Sequence, residues 1–315
     1  MTLMKINIFT FIAVQLLFVL PIGAFCQNSG FSRTVNPEIP YKTTFAGTSI
    51  DLDRVDMFER LDRELTSMTY THGNTLLVIK RANKYFPTII PILKKQGIPV
   101  DMVYLACIES MLNPRAYSAA KAAGIWQFIP STAKRYGLEV NEYVDERYNL
   151  EKATNAACRY FKEALQKYGN WESVAASYNG GMGRISKELD AQGQTTAYNL
   201  YLVDETSRYM FRLLAMKMIM ENPQKYGFHL TTDQIYQPVK TTQVKVSSPV
   251  LNWAEWAEKQ GINYMQLREY NPWIRSKSLP NKLGKTYIVN IPDKSELKRS
   301  SQKKKIYNSN WVVDK

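Results

Sequence analysis

From Asp51 to Asn222 apolar residues recur at three- and four-residue spacing, and no stretch alternates convincingly with period two. That pattern commits about 170 residues to packed helices, a normal size for one mainly α domain. Leu52, Val55, Phe58, Leu61 and Leu65 describe an amphipathic helix ending before His72-Gly73. A second is expected from Asn74 to Phe86, because Pro87 lacks an N–H and disfavours helix before it. Further helices are expected over 88–96, 100–111, 131–136, 150–168, 171–179, 183–190 and 204–221.

The flanks read differently. Residues 27–50 are polar, with Pro37, Pro40 and Gly47, and read as a linker. The helical domain is assigned 51–235. Beyond Asn222-Pro223, residues 236–246 suit a strand, 251–259 and 264–270 two short helices, and 285–291 a closing strand. This makes a small βααβ module over 240–292. Residues 293–315, with Lys298, Arg299 and Lys303 to Lys305, read as a solvated basic tail.

At the N-terminus, Lys5 precedes an apolar run from Ile8 to Leu20, followed by Pro21, Gly23 and Ala24. This is the layout of a secretory signal over 1–26, and the run is short for a membrane span. Ala24-Phe25-Cys26 before Gln27 fits a small-x-small cleavage site. A lipidated Cys26 would call for a small residue where Phe25 stands, and an uncleaved anchor is the third reading. Lys and Arg number 41 against 28 Asp and Glu, a formal +13 that becomes +12 once Lys5 is removed, so an anionic partner is expected for the exported chain. Only two His and three Cys are present, too scattered for a zinc site. No metal or organic cofactor is expected. Cys107 and Cys158 are expected as buried thiols; a disulfide needs Cα atoms within about 7 Å.

The segment from Pro99 to Pro114 carries the sharpest chemical signal. Met102, Val103, Leu105, Ala106 and Ile108 make its helix apolar around much of its circumference, and Glu109 lies in the last turn. Burial and the negative end of the helix dipole both disfavour a carboxylate there, so a raised pKa suited to a general acid is expected. Downstream come Asn113-Pro114, Tyr117-Ser118, the run Gly124-Ile125-Trp126-Gln127-Phe128, Ser177-Tyr178-Asn179-Gly180-Gly181 and Glu205-Thr206-Ser207-Arg208-Tyr209.

With these motifs in this order, the chain resembles the soluble-lytic-transglycosylase family over about residues 75–230. The resemblance implies a lysozyme-like helical fold and cleavage of the β-1,4 bond between N-acetylmuramic acid and N-acetylglucosamine in peptidoglycan. It implies that Glu109 is the single acid and base. Ser118 would bond near Glu109 and the muramoyl acetamido group, and Gln127 would bind sugar, although Ile125-Trp126 replaces the commoner Leu-Met. Tyr178 would bring its hydroxyl close to the acid, beside Asn179, while Glu205 and Tyr209 would line the far side of the groove. Residues 244–292 resemble a LysM domain without its usual Gly-Asp-Thr-Leu opening; Trp253, Trp256 and Trp273 either stack on sugars or fill its core.

A usual hydrolase needs two carboxylates, one to protonate the leaving oxygen and one to attack or activate water. The family's route needs one, with the C6 hydroxyl attacking C1 to leave a 1,6-anhydromuramoyl end. Peptidoglycan strands in the periplasm or cell envelope are then the expected partner, cell-envelope assembly partners are left open, and nucleic acid is not expected. A lysozyme-type muramidase and a non-catalytic wall-binding protein are the alternatives.

Overall fold

The computed structural model describes residues 36–314. The expected signal, Cys26 and the first part of the linker lie outside them. The expected linker instead contains a hairpin: β1 (Lys42–Phe45) pairs antiparallel with β2 (Thr48–Asp51), Phe45 opposite Thr48. Ala46 and Gly47 turn it with φ of 50° and 88°, and Phe45 and Ile50 enter the domain core.

The helices follow as α1 (Val55–Tyr70), α2 (His72–Lys95), α3 (Val103–Ser110), α4 (Pro130–Arg135), α5 (Leu150–Tyr168), α6 (Trp171–Gly180), α7 (Met182–Ala191) and α8 (Asp204–Glu221). One expectation fails here, for α2 is a single helix running through Pro87 and Pro91. Both prolines are exposed, whereas Phe86, Ile89, Ile90 and Leu93 are buried. Proline four residues from proline keeps both defects on the wet face, and the apolar face holds the helix together. α5 and α6 start where Asn149 and Asn170 accept from the N–H groups of Lys152 and Ser173. α8 is buried along most of its length and packs against α1, α3 and α6, making it the central rod of the domain.

β3 (Thr241–Val246) and β4 (Tyr287–Pro292) pair antiparallel around α9 (Trp253–Lys259) and α10 (Tyr264–Tyr270), giving the expected βααβ order. Trp253 and Trp273 are buried in this module's core, and Trp256 packs edge-on against Trp253. The module is not a free appendage. Its core includes Ala123, Val144 and Tyr148 of the helical domain. The Asp145 N–H donates to Trp273 O at 2.9 Å, and the Arg275 N–H donates to Tyr143 O at 2.8 Å.

The basic tail also departs from expectation. It returns to the helical domain, where Trp311 is 2% exposed and its indole N–H donates to Met220 O at 2.7 Å. Asn83 of α2 donates to Lys305 O and accepts from the Tyr307 N–H at 2.7 Å. Phe86 meets Trp311 edge-on at 5.6 Å. The tail's charge had suggested solvation, but its single Trp-Val pair supplies an apolar anchor that lysines nearby do not cancel.

Candidate active site

Glu109 occupies the last turn of α3, which is buried nearly all round. The helix stops abruptly, with Met111 and Leu112 both left-handed at φ 53°. Two successive non-glycine residues in that region are strained. Leu112 is fully buried and anchors the bend. Ser110 ties it to the facing loop, its hydroxyl donating to Ile125 O at 2.8 Å.

That loop, residues 117–128, is held by its carbonyls. Beside the Ser110 bond, the Tyr178 hydroxyl donates to Trp126 O at 2.7 Å, and the Arg147 guanidinium donates to Phe128 O at 3.0 Å and to Lys121 O at 2.6 Å. Arg147 is itself buried and bidentate with Asp145 at 2.9 and 2.7 Å, the arrangement that fixes a planar guanidinium most firmly. Gly124 is indispensable: φ is +77°, and a Cβ there would lie 2.0 Å from Arg147 O. Ile125 and Trp126, the positions that depart from the family pattern, are buried, and the Trp126 indole donates to Thr154 at 2.9 Å. These two side chains fill the space beneath the loop.

The half-buried Glu109 carboxyl accepts a hydrogen bond from the Tyr209 hydroxyl at 2.8 Å. Burial pushes its pKa up to about 7; the Tyr209 bond pulls it down, Glu205 raises it and Arg212 lowers it. Burial and the charge of Glu109 raise Tyr209 and Tyr178 well above the ordinary phenol value, so both remain donors whatever Glu109 does. The phenol bonded to the acid is therefore Tyr209, and Tyr178 braces the loop. Asn179 is half-buried in the same last turn of α6. Glu205 is exposed in the first turn of α8. Ser118 Oγ accepts from the Ala122 N–H at 3.1 Å, closing a tight turn. Gln127, at φ 49°, donates from its amide to Gly124 O at 2.8 Å and Ala116 O at 3.3 Å, which commits its N–H groups to the loop.

Ser110 stands beside Glu109 in the motif series without an expected role, and Arg147 and Glu64 had no sequence signal. Glu64 of α1 is 2% exposed and accepts from Arg208 at 2.7 Å and Arg63 at 3.0 Å, with Arg212 at 3.4 Å. It holds the segment of α8 that carries Tyr209. Cys107 and Cys158 are free and buried, and burial raises both thiols, Cys158 to about 11. Among the described residues no group of three or more His, Cys, Asp or Glu is placed to hold a metal ion, and no helix is long and apolar enough to cross a membrane.

Residues 87–201 match the family of the transglycosylase SLT domain, and residues 242–295 match the soluble lytic transglycosylase C-terminal LysM-like domain. The chain carries an SLT domain followed by a LysM-like domain. It is a homologue of lytic murein transglycosylases: membrane-bound lytic murein transglycosylase D of Escherichia coli (strain K12) is 33% identical over 241 residues, covering 75% of this chain and 51% of that protein. Membrane-bound lytic murein transglycosylase C of Haemophilus ducreyi is 27% identical over 179 residues, 49% of this chain and 48% of that protein. The crystal structure of the 70 kDa soluble lytic transglycosylase of Escherichia coli aligns at 23% identity and TM-score 0.38, over 44% of this chain and 24% of that chain. The chain thus spans about half the length of the two named membrane-bound relatives. Glu109, the loop 117–128 and Tyr178-Asn179 all fall inside the SLT match, while Glu205 and Tyr209 of α8 lie just beyond it.

Proposed function

We propose that this protein is an exported peptidoglycan lytic transglycosylase, cleaving the β-1,4 bond between N-acetylmuramic acid and N-acetylglucosamine with Glu109 as its acid and base. The observation that carries the reading is a single half-buried carboxyl, raised to about 7 and bonded to Tyr209, at the strained end of a buried helix. In its protonated form Glu109 donates to the glycosidic oxygen; the bond to C1 breaks with an oxocarbenium-like state. The resulting carboxylate takes the proton of the C6 hydroxyl as that oxygen closes on C1. Proton and charge balance without water, and the acid is restored. In the reading, Ser118, Gln127, Asn179 and Glu205 contact sugar, Tyr209 orients Glu109, and Tyr178 shapes the groove by holding the loop.

Glu205 keeps a hydrolytic alternative in play, since it is exposed and close enough to raise Glu109. Digestion of purified sacculi followed by mass spectrometry of the muropeptides separates the two. The expected products are 1,6-anhydromuramoyl ends, abolished by Glu109→Gln and retained at reduced rate in Glu205→Gln. Reducing muramic acid ends would make the enzyme a muramidase, and a fully active Glu109→Gln protein would remove Glu109 from the reaction. Export is tested by the presence of the full-length chain in the envelope fraction and its absence there when residues 1–26 are deleted.

A further inference from the structure

A cleft of about 630 Å³ runs between the SLT domain and the LysM-like domain. The first contributes Arg115, Tyr117 and Tyr148, the second Tyr264, Arg268 and Arg275, and among the described residues that line it none is acidic. Glu269 reaches only Arg115, at 2.6 Å. The Arg275 guanidinium lies over the Tyr148 ring, 4.5 Å from its centroid, and one of its terminal N–H groups donates to Pro272 O at 3.4 Å. Arg268 donates to the Tyr264 hydroxyl at 2.7 Å, while its Nε is buried without a hydrogen-bond partner. That Nε is closed off from the cleft; the terminal guanidinium nitrogens of the arginines are the donors a ligand there can meet, and a carboxylate is the acceptor whose two oxygens fit them best. Tyr117, 61% exposed, opens into this cleft, and the next residue, Ser118, belongs to the active-site loop. Tyr117 thus ties the cleft in the chain to the loop that faces α3.

We infer that this cleft is a second ligand subsite, which holds the carboxylates of the peptide stems carried by the glycan strand lying at Glu109. The inference rests on the proposed function for the identity of the strand. Amino sugars whose lactyl groups are amide-linked carry no free carboxylate, so the stems are the anions such a strand can offer. Two tyrosine faces flank the guanidinium groups, suiting a ligand with both apolar and anionic parts. The subsite exists only because the LysM-like domain is docked, for three of its lining residues come from the SLT domain and five from the LysM-like domain.

The test compares glycan strands bearing stems with the same strands stripped of stems by an amidase, using the full-length enzyme. The parent is expected to show the lower KM on stem-bearing strands. Arg268→Ala/Arg275→Ala is expected to raise that KM about tenfold, the scale of a lost charge-assisted bond, with kcat unchanged and bare strands cleaved as before. Arg275→Gln, whose backbone contact to Tyr143 is intact, is expected to move KM in the same direction by a smaller factor. Equal KM values for parent and variants on stem-bearing strands, or a parent indifferent to stems, overturn the inference, as does an equal loss on both substrates. Calorimetry of the free stem tripeptide against the Glu109→Gln protein reads the cleft apart from cleavage. Binding there, lost in the arginine variants, supports the subsite even if the strand-cleaving chemistry proves hydrolytic; no binding sinks it.

Discussion

Burial pushes the pKa of Glu109 up to about 7, and that shift bears on the proposed chemistry and on stability alike. As the proposed acid it must be protonated at the start, so kcat/KM is expected to fall as pH rises through about 7. The Tyr209 hydroxyl stabilises the carboxylate; Tyr209→Phe is therefore expected to shift this limb upward, by about one unit, even as it lowers the maximal rate. A profile that moves downward, or stays in place, would contradict the bond's assigned role. For stability, a carboxyl whose folded pKa is raised from 4.5 to about 7 favours the native state fully below 4.5 and loses that advantage as pH rises through 7. Glu109→Gln should consequently be the more stable protein at pH 8, on the order of 2 kcal/mol relative to their difference at pH 4, measurable by urea unfolding. The raised pKa of this carboxyl was legible, since it sits at the end of a helix apolar around much of its circumference. Both tyrosines feel the charge of Glu109, and that the hydrogen bond comes from Tyr209 was not legible, because sequence cannot say which phenol points at the carboxyl across helices distant in the chain. The role of Ser110, whose place beside Glu109 was in the motif series, and Arg147 altogether were illegible for a related reason: each acts by donating to a backbone carbonyl, and carbonyls carry no residue code.

At the scale of elements, the link between α1 and α8 decides how firmly Tyr209 is aimed. Glu64 is buried beneath Arg208 and Arg212, residues on either side of Tyr209. The arginines are about one-third exposed and can turn to water, so Glu64→Ala is expected to cost about 2 kcal/mol, below the penalty for stranding a fully buried charge. Because α8 also carries the phenol, kcat should fall with it, whereas Asp56→Ala, an exposed change in the same helix, should leave both untouched. Thermal melts and initial rates on sacculi check the pair. Helix periodicity found α5 to α8 within a residue of their ends and α1 and α3 within about three, as expected where one face of a long element is buried. It failed at the hairpin β1–β2, where four-residue strands offer only Phe45 and Ile50 as inward residues and Ala46-Gly47 is a weak turn signal. At α2 it failed because proline's local penalty was weighed without the exposed face that absorbs it.

Across the whole molecule, the SLT domain and the LysM-like domain share one core boundary and are laced at three places. Val144 pairs with Ile274, Lys285 and Tyr287 reach Glu139, and the tail beyond β4 comes back to bury Trp311 on Met220 and Phe86. A chain that leaves the SLT domain, forms the LysM-like domain and returns cannot release the module by fraying one end. Modules on flexible linkers melt separately; these two are expected to melt as one, with a single calorimetric transition coincident with the loss of tyrosine and tryptophan near-ultraviolet dichroism. Trp311→Ala removes a large buried side chain and strands the Met220 carbonyl, a loss of about 3–5 kcal/mol. If the tail is a third lace, this variant lowers the whole transition; if it merely covers the SLT domain, the variant lowers that domain's melting and a second transition for residues 241–292 emerges above it. The same measurement bears on the cleft of Arg115, Arg268 and Arg275, because a subsite built from two domains keeps its geometry only while both melt together.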